Sequence, residues 1–351
     1  MRNAEKDVMV QWLRNQHQSM RLMEVCGTHT AALYTTGLRS ILPKEIKMLS
    51  GPGCPVCVTP SSYIDKLIDY AFRDGHKVLT FGDMLQVPGS DVSLSGAKAE
   101  GGNVNFFYRP EDVLPMATAE PDTTFVLGAV GFETTAPVWA TLIQQVVAQK
   151  IKNVKLLTAL KTMPKALEVL SAKKSIDGFL CPGHVAVITG CTPFRQISEH
   201  YHKPMVVGGF TQEQLLQALC RLVLAVQKKQ NGFWNEYASV VQEKGNLKAQ
   251  KIIQDVFSTG DATWRGFGKL LGSGLYLQDK YAALDAGSAG LDEDKIPAGC
   301  TCGEVLLGNK LSQECPLFGR ACTPEHPVGA CMVSAEGSCA ISFRNGGRNE
   351  N

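Results

Sequence analysis

The chain has 351 residues, 44% of them hydrophobic and 19% charged, with a formal net charge of +2. That is ordinary for a soluble globular protein of two or three domains. The near-neutral balance gives no electrostatic case for nucleic acid or an anionic membrane, and no apolar run is long enough to span a bilayer.

Residues 1–20 read as helical, with Val8, Trp12 and Leu13 among charged and amide residues and no signal-peptide core. The expected location is therefore the cytoplasm, where thiols stay reduced and twelve cysteines point to metal binding or catalysis. Next comes Cys26-Gly-Thr-His29, after the run Met20–Val25. A thiolate near an imidazole suits a metal or an activated nucleophile, although a buried Cys beside a hydrogen-bonded His is the plain alternative. In Gly51-Pro-Gly-Cys54-Pro-Val-Cys57 the Cys-x-x-Cys spacing allows a disulfide or a shared metal, and a helix is expected to follow.

Buried parallel strands are predicted at Lys77–Phe81, Thr123–Val130, Asn153–Ala159, Ile176–Leu180 and Pro204–Val207. Helices are predicted between them. One is capped by Ser61 or Ser62, one by Thr134 or Thr135 with Pro137 in its first turn, and one follows Pro164. Another opens with the capping box Thr211-x-x-Gln214 and contains Cys220. Gly131-Phe-Glu133-Thr-Thr and Cys181-Pro-Gly-His184 fall at strand ends, where parallel α/β proteins place functional loops; Glu133 and His184 are candidates for the layer behind a metal. Cys191 reads as an ordinary buried thiol.

Trp234–Gln254 reads as a further helix, and from Gly260 the chain is Gly-rich and loses periodicity. Six cysteines then fall between Cys300 and Cys339, at positions 300, 302, 315, 322, 331 and 339. With little apolar material of its own, this tail calls for a metal centre; six thiols exceed the four of a [4Fe–4S] cluster, and zinc is the rival. The fold expected is α/β: two parallel-sheet domains (21–118 and 119–230) plus a smaller, mostly irregular and helical iron–sulfur domain from 1–20 and 231–351.

Together, MEVCGTHT, GPGCPVCVTP, GFETTAP, CPGHVAV and CGEVLLG…CPLFG…CTPEHPVGACMVSAEGSC closely resemble the HypD family of hydrogenase maturation factors, in the same order from about residue 20 to 340. One departure is Leu307, where the family commonly has arginine. The resemblance implies a scaffold for the Fe(CN)₂CO group of [NiFe]-hydrogenases, with a HypC-type small chaperone and cyanide supplied by HypE. It implies Cys26 as iron ligand with His29 beside it, Cys54 and Cys57 as a redox pair, and a [4Fe–4S] cluster in the tail. The Fe(II) carrying cyanide and CO is cargo rather than a resident cofactor. Cys302, Cys315, Cys322 and Cys339 are the favoured cluster ligands, with Cys300 and Cys331 in reserve. The rival readings are an iron–sulfur disulfide reductase acting on a partner protein, which leaves Cys26 and His29 without a task, and a zinc-stabilised interaction module.

Overall fold

The computed structural model describes residues 3–346. Its strands are β1 (Met20–Glu24), β2 (Ile46–Ser50), β3 (His76–Thr80), β4 (Val104–Phe106), β5 (Thr124–Gly131), β6 (Val154–Leu160), β7 (Gly178–Cys181), β8 (Met205–Val207), β9 (Phe233–Asn235), β10 (Phe257–Trp264) and β11 (Gly268–Leu277). β5 forms from an apolar run buried on both faces: Phe125–Gly131 are all buried. The five strands predicted from sequence are β3, β5, β6, β7 and β8, displaced by at most two residues.

Two wholly parallel sheets result. One has the order β2-β1-β7-β8-β9 and the other β4-β3-β5-β6. The α/β class is thus as expected, with an irregular C-terminal region. The sheets do not follow the consecutive blocks 21–118 and 119–230, however. β3 and β5, on opposite sides of residue 118, pair directly, while the first sheet draws β1 and β2 from before the second sheet and β7 to β9 from after it. Periodicity reports where a strand is, not what it pairs with, so this interleaving is invisible to it. The helix Asn3–Arg14 also belongs with the first sheet: Leu13 is buried in a cluster with Leu22, Leu215 and Leu219, and Lys6 donates to Gln212.

The helices follow their predicted signals with some changes of detail. Thr211 and Gln214 close a reciprocal capping box at the start of Gln212–Gln227. Ala136–Ala148 begins after Thr135, with proline in its first turn. Ser61–Ala71 has Pro60 as its N-cap, so Ser61 is not the cap; its hydroxyl instead accepts the N–H of Lys295 at 2.8 Å. The predicted helix over 234–254 is corrected. Phe233–Asn235 adds β9 to the first sheet, turns follow, and only Leu247–Val256 is helical. The Gly-rich stretch after 257 is an antiparallel hairpin of β10 and β11 with an irregularity at Gly260/Ala262. Glycines on its strands break the alternation that would have announced it.

The tail adds three short helices, Cys302–Leu306, Ala330–Val333 and Ser338–Arg344. It does not stand apart. Leu306, Met332 and Ala340 enter the same core cluster as Met23 and Leu49, and Arg21 donates to the carbonyl of Gly308 at 2.6 Å. No helix among the described residues is long and apolar enough to cross a membrane.

Candidate functional site

In both sheets the first strand lies between the second and third, so the chain leaves in opposite directions from neighbouring strands. Open parallel sheets bind ligands at that switch, outside the C-terminal strand ends. In the first sheet the switch lies between β1 and β7, which deliver Cys26 and the Cys181-Pro-Gly-His184 turn. In the second it lies between β3 and β5, and β5 delivers Phe132–Thr135. The two meet in one cleft of about 160 Å³ whose polar lining comes from Cys26, Thr28, Thr134, Thr135, His184 and Glu336. The structure therefore brings together the CGTH, GFETT and CPGH segments.

Cys26 is the N-cap of the helix Gly27–Thr35. No capping hydrogen bond reaches its sulfur, but the N–H groups of the first helical turn, at His29 and Thr28, favour the thiolate. Burial nonetheless dominates and pushes the thiol up to about 12, with the Glu24 and Glu336 carboxyls adding to the rise. Such a thiol is protonated when alone, and a bound cation is what would release its proton. The backbone before it is pinned by Glu24. This side chain is 1% exposed, and its Oε2 accepts the Cys26 N–H at 3.0 Å while Oε1 accepts from the Thr30 hydroxyl. Burial raises Glu24 to about 7.

His29 is fully buried, with Nε2 3.2 Å from the Gly208 carbonyl and Nδ1 without a protein partner. Burial lowers it to about 4, so the imidazole is neutral at pH 7 and, with Nε2 donating, Nδ1 carries a free lone pair. The Phe210 ring stacks on both His29 and His184, with centroids at 4.6 and 3.9 Å. His184 is exposed on the cleft wall, and desolvation lowers its pKa.

Glu133 lies behind the wall formed by its neighbours. Its Oε1 accepts the Met163 N–H at 3.0 Å, tying the end of β5 to the helix Met163–Ser171, while Oε2 is buried without a partner. Burial raises it from 4.5 to about 7. The folded state therefore binds the extra proton between those two values, and stability falls as pH rises through that window. Glu133→Gln keeps the acceptor for Met163 and removes the titration. We expect little change below about pH 4 and a gain approaching roughly 3 kcal/mol above pH 7, read by denaturant unfolding at the two pH values. A variant as pH-dependent as the parent would place the proton elsewhere.

The Cys54/Cys57 loop lies directly against Cys26. Gly27 donates its N–H to the Gly53 carbonyl at 3.2 Å, and a Cβ on Gly53 would stand 2.5 Å from the Cys26 Cα. The two sulfurs are 2.6 Å apart, and the Cys57 N–H donates to Cys54 Sγ at 3.2 Å. The helix expected directly after the pair starts only at Ser61, so its N-terminus does not act on these thiols. Cys57 is fully buried, which raises its thiol pKa, and its Sγ also lies 3.8 Å from the carbonyl of Ala330, the residue before Cys331.

All six tail thiols line one cavity, with Leu317, Phe318 and Met332 as apolar lining. Cys302 contacts Cys300 and Cys331, Cys331 contacts Cys339, and Cys322 Sγ accepts the Val328 N–H at 3.3 Å. The donor set fits a thiolate-held cluster: sulfur only, six candidates, apolar surroundings. Among the described residues no group of three or more His, Cys, Asp or Glu is arranged to hold one metal ion. Cys302, Cys315, Cys322 and Cys339 are all on the cavity wall, and so are Cys300 and Cys331. Cys181, Cys191 and Cys220 lie outside both sulfur sites, with burial raising each thiol pKa.

Two carboxylates escape sequence reasoning. Glu336 lies in the tail between Cys331 and Cys339 yet reaches the cleft, accepting from the Thr28 hydroxyl at 3.4 Å. No local pattern announces that. Glu24 carried a fainter signal, an acid closing an apolar strand two residues before a cysteine.

The chain matches the family described as "HypD: Hydrogenase formation hypA family" over residues 5–346. It is 39% identical to the hydrogenase maturation factor HypD of Escherichia coli over 93% of this chain and 89% of the relative. It is 38% identical to HypD of Rhodobacter capsulatus over 93% and 90%, and 37% identical to HypD of Azotobacter vinelandii over 93% and 89%. With the cysteine motifs gathered at one cleft and one adjoining cavity, and a family match spanning nearly all of its length, this chain belongs to the HypD family of hydrogenase maturation factors.

Proposed function

We propose that the cleft is where an Fe(CN)₂CO unit for [NiFe]-hydrogenases is put together, on iron shared between Cys26 and a small HypC-type chaperone, with cyanide delivered by a HypE-type donor. Cys26 is the thiol on the cleft wall, and a thiolate is a soft donor suited to Fe(II) with strong-field ligands. His29 offers a neutral imidazole lone pair behind it, to orient or take up a proton.

Cys54 and Cys57 work as a dithiol/disulfide couple. Closing the S–S bond releases two electrons and two protons, and opening it takes both back. The observation that carries this reading is their position. Gly53 touches the Cys26 backbone on one side, and Cys57 contacts Cys331 of the tail cavity on the other. The pair thus joins the two sulfur sites. A [4Fe–4S] cluster held by tail thiols would supply single electrons. Cys302, Cys315, Cys322 and Cys339 remain the proposed holders, and Cys331 is the thiol of that cavity that also reaches Cys57.

The test is infrared spectroscopy and metal analysis of protein purified without oxygen together with its small chaperone. Bands of iron-bound CO and cyanide, with iron beyond the tail's content, are the expected result. A colourless zinc protein would sink the reading in favour of an interaction module. Turnover of a protein disulfide by material lacking those bands would sink it in favour of a reductase.

A further inference from the structure

Three threonines line the cleft, and they are not equivalent. The Thr28 hydroxyl is engaged with Glu336 Oε1. Thr134 and Thr135 have no side-chain hydrogen-bond partner among the described residues, although both lie on the cleft wall. Thr135 is the N-cap of a 13-residue helix, a position whose hydroxyl normally accepts an N–H of the first turn, and here it makes no such bond. Its place is nevertheless fixed: the side chain packs on Gly131, where a Cβ would stand 2.5 Å from the Thr135 Cβ. The wall also carries apolar side chains, Val25, Phe132, Met163 and Val185, alongside Cys26, His184 and Glu336. One small cleft therefore offers two hydroxyl donors without a protein partner, on the exposed Thr134 and the half-buried Thr135, beside an apolar surface.

Resting on the assembly reading above, we propose that Thr134 and Thr135 recognise the cyanide ligands of the cargo and so distinguish them from CO. Metal-bound cyanide carries negative charge at a nitrogen with an exposed lone pair, a strong acceptor. The oxygen of metal-bound CO is a poor acceptor and loses little against apolar side chains. The hydroxyls donate to the first, at little ordering cost for Thr135, whose side chain is already fixed against Gly131. Each diatomic ligand then has a wall suited to it, and the two orientations of the iron unit differ in energy.

The experiment is infrared spectroscopy of the complex with the chaperone, in H₂O and D₂O, for the parent and for the Thr134→Val, Thr135→Val double variant. The parent is expected to show cyanide bands sensitive to deuterium exchange. In the double variant those bands move and lose that sensitivity, while the CO band moves less. Cyanide bands that coincide with the parent's in both solvents would overturn the proposal. If the valine protein carries no such bands at all, the conservative Thr134→Ser, Thr135→Ser variant decides: bands at the parent's positions support hydroxyl recognition, and their loss with serine overturns it. A parent without any CO or cyanide bands would instead remove the assembly reading itself, an outcome distinct from these.

Discussion

Cys26→Ala is expected to abolish iron retention at the cleft while leaving iron in the tail unchanged. Cys26 is the thiol on the cleft wall, at the N-terminus of the helix that starts at Gly27. No other thiol replaces it there: Cys54 and Cys57 are buried against each other and the tail thiols line a separate cavity. The substitution removes a group whose ionisation burial opposes, so the fold has little reason to suffer. The measurement is iron per chain with absorption spectra, for the complex with the chaperone, before and after the substitution. The cleft iron should fall to background and the sulfur-to-iron absorption of the tail should persist. A parallel loss of both pools would mean that the two sulfur groups act as one site.

Much of this was legible in the sequence, for a physical reason. β3, β5, β6, β7 and β8 are short apolar runs bounded by turns, and burial on both faces leaves no other way to write such a strand. The Thr211 capping box is a local interaction four residues long, so it too can be read directly. The cysteine groups were visible as composition. What was not legible is whatever depends on residues distant in the chain. The pairing of β1 with β7 joins segments more than 150 residues apart, and it is this pairing that sets His184 beside Cys26. Glu336 enters the cleft from the tail, and Cys331 reaches Cys57, by the same kind of long-range packing. The hairpin of β10 and β11 went unread because its glycines erase the period-two signal.

Gly53→Ala is expected to be the most damaging single methyl group that can be added to this protein's cleft. The Cβ would stand 2.5 Å from three backbone atoms: the Cys26 Cα, the Cys26 N and the Gly27 N. Rotamer changes relieve a clash with a side chain, but none of these atoms can move without moving a strand end and a helix start together. Those two are themselves fixed. The Cys26 N–H is bonded to the buried Glu24, and the Gly27 N–H is bonded to the Gly53 carbonyl. Overpacking of well-filled interiors costs about 1–3 kcal/mol, and a backbone-on-backbone contact belongs at the upper end or beyond. The only relief is to lift the 51–57 loop off the helix, which breaks the Gly27–Gly53 hydrogen bond and carries Cys54 and Cys57 away from Cys26. Stability and dithiol function should therefore fall together. Gly82→Ala is the matched control, since no atom lies within 4 Å of its Cβ position, and it should remain within about 0.5 kcal/mol of the parent. Denaturant midpoints of the two variants make the comparison. If Gly53→Ala unfolds where Gly82→Ala does, the close approach of the Cys-x-x-Cys loop to the Cys26 backbone is not real, and the route from the tail to the cleft loses its middle link.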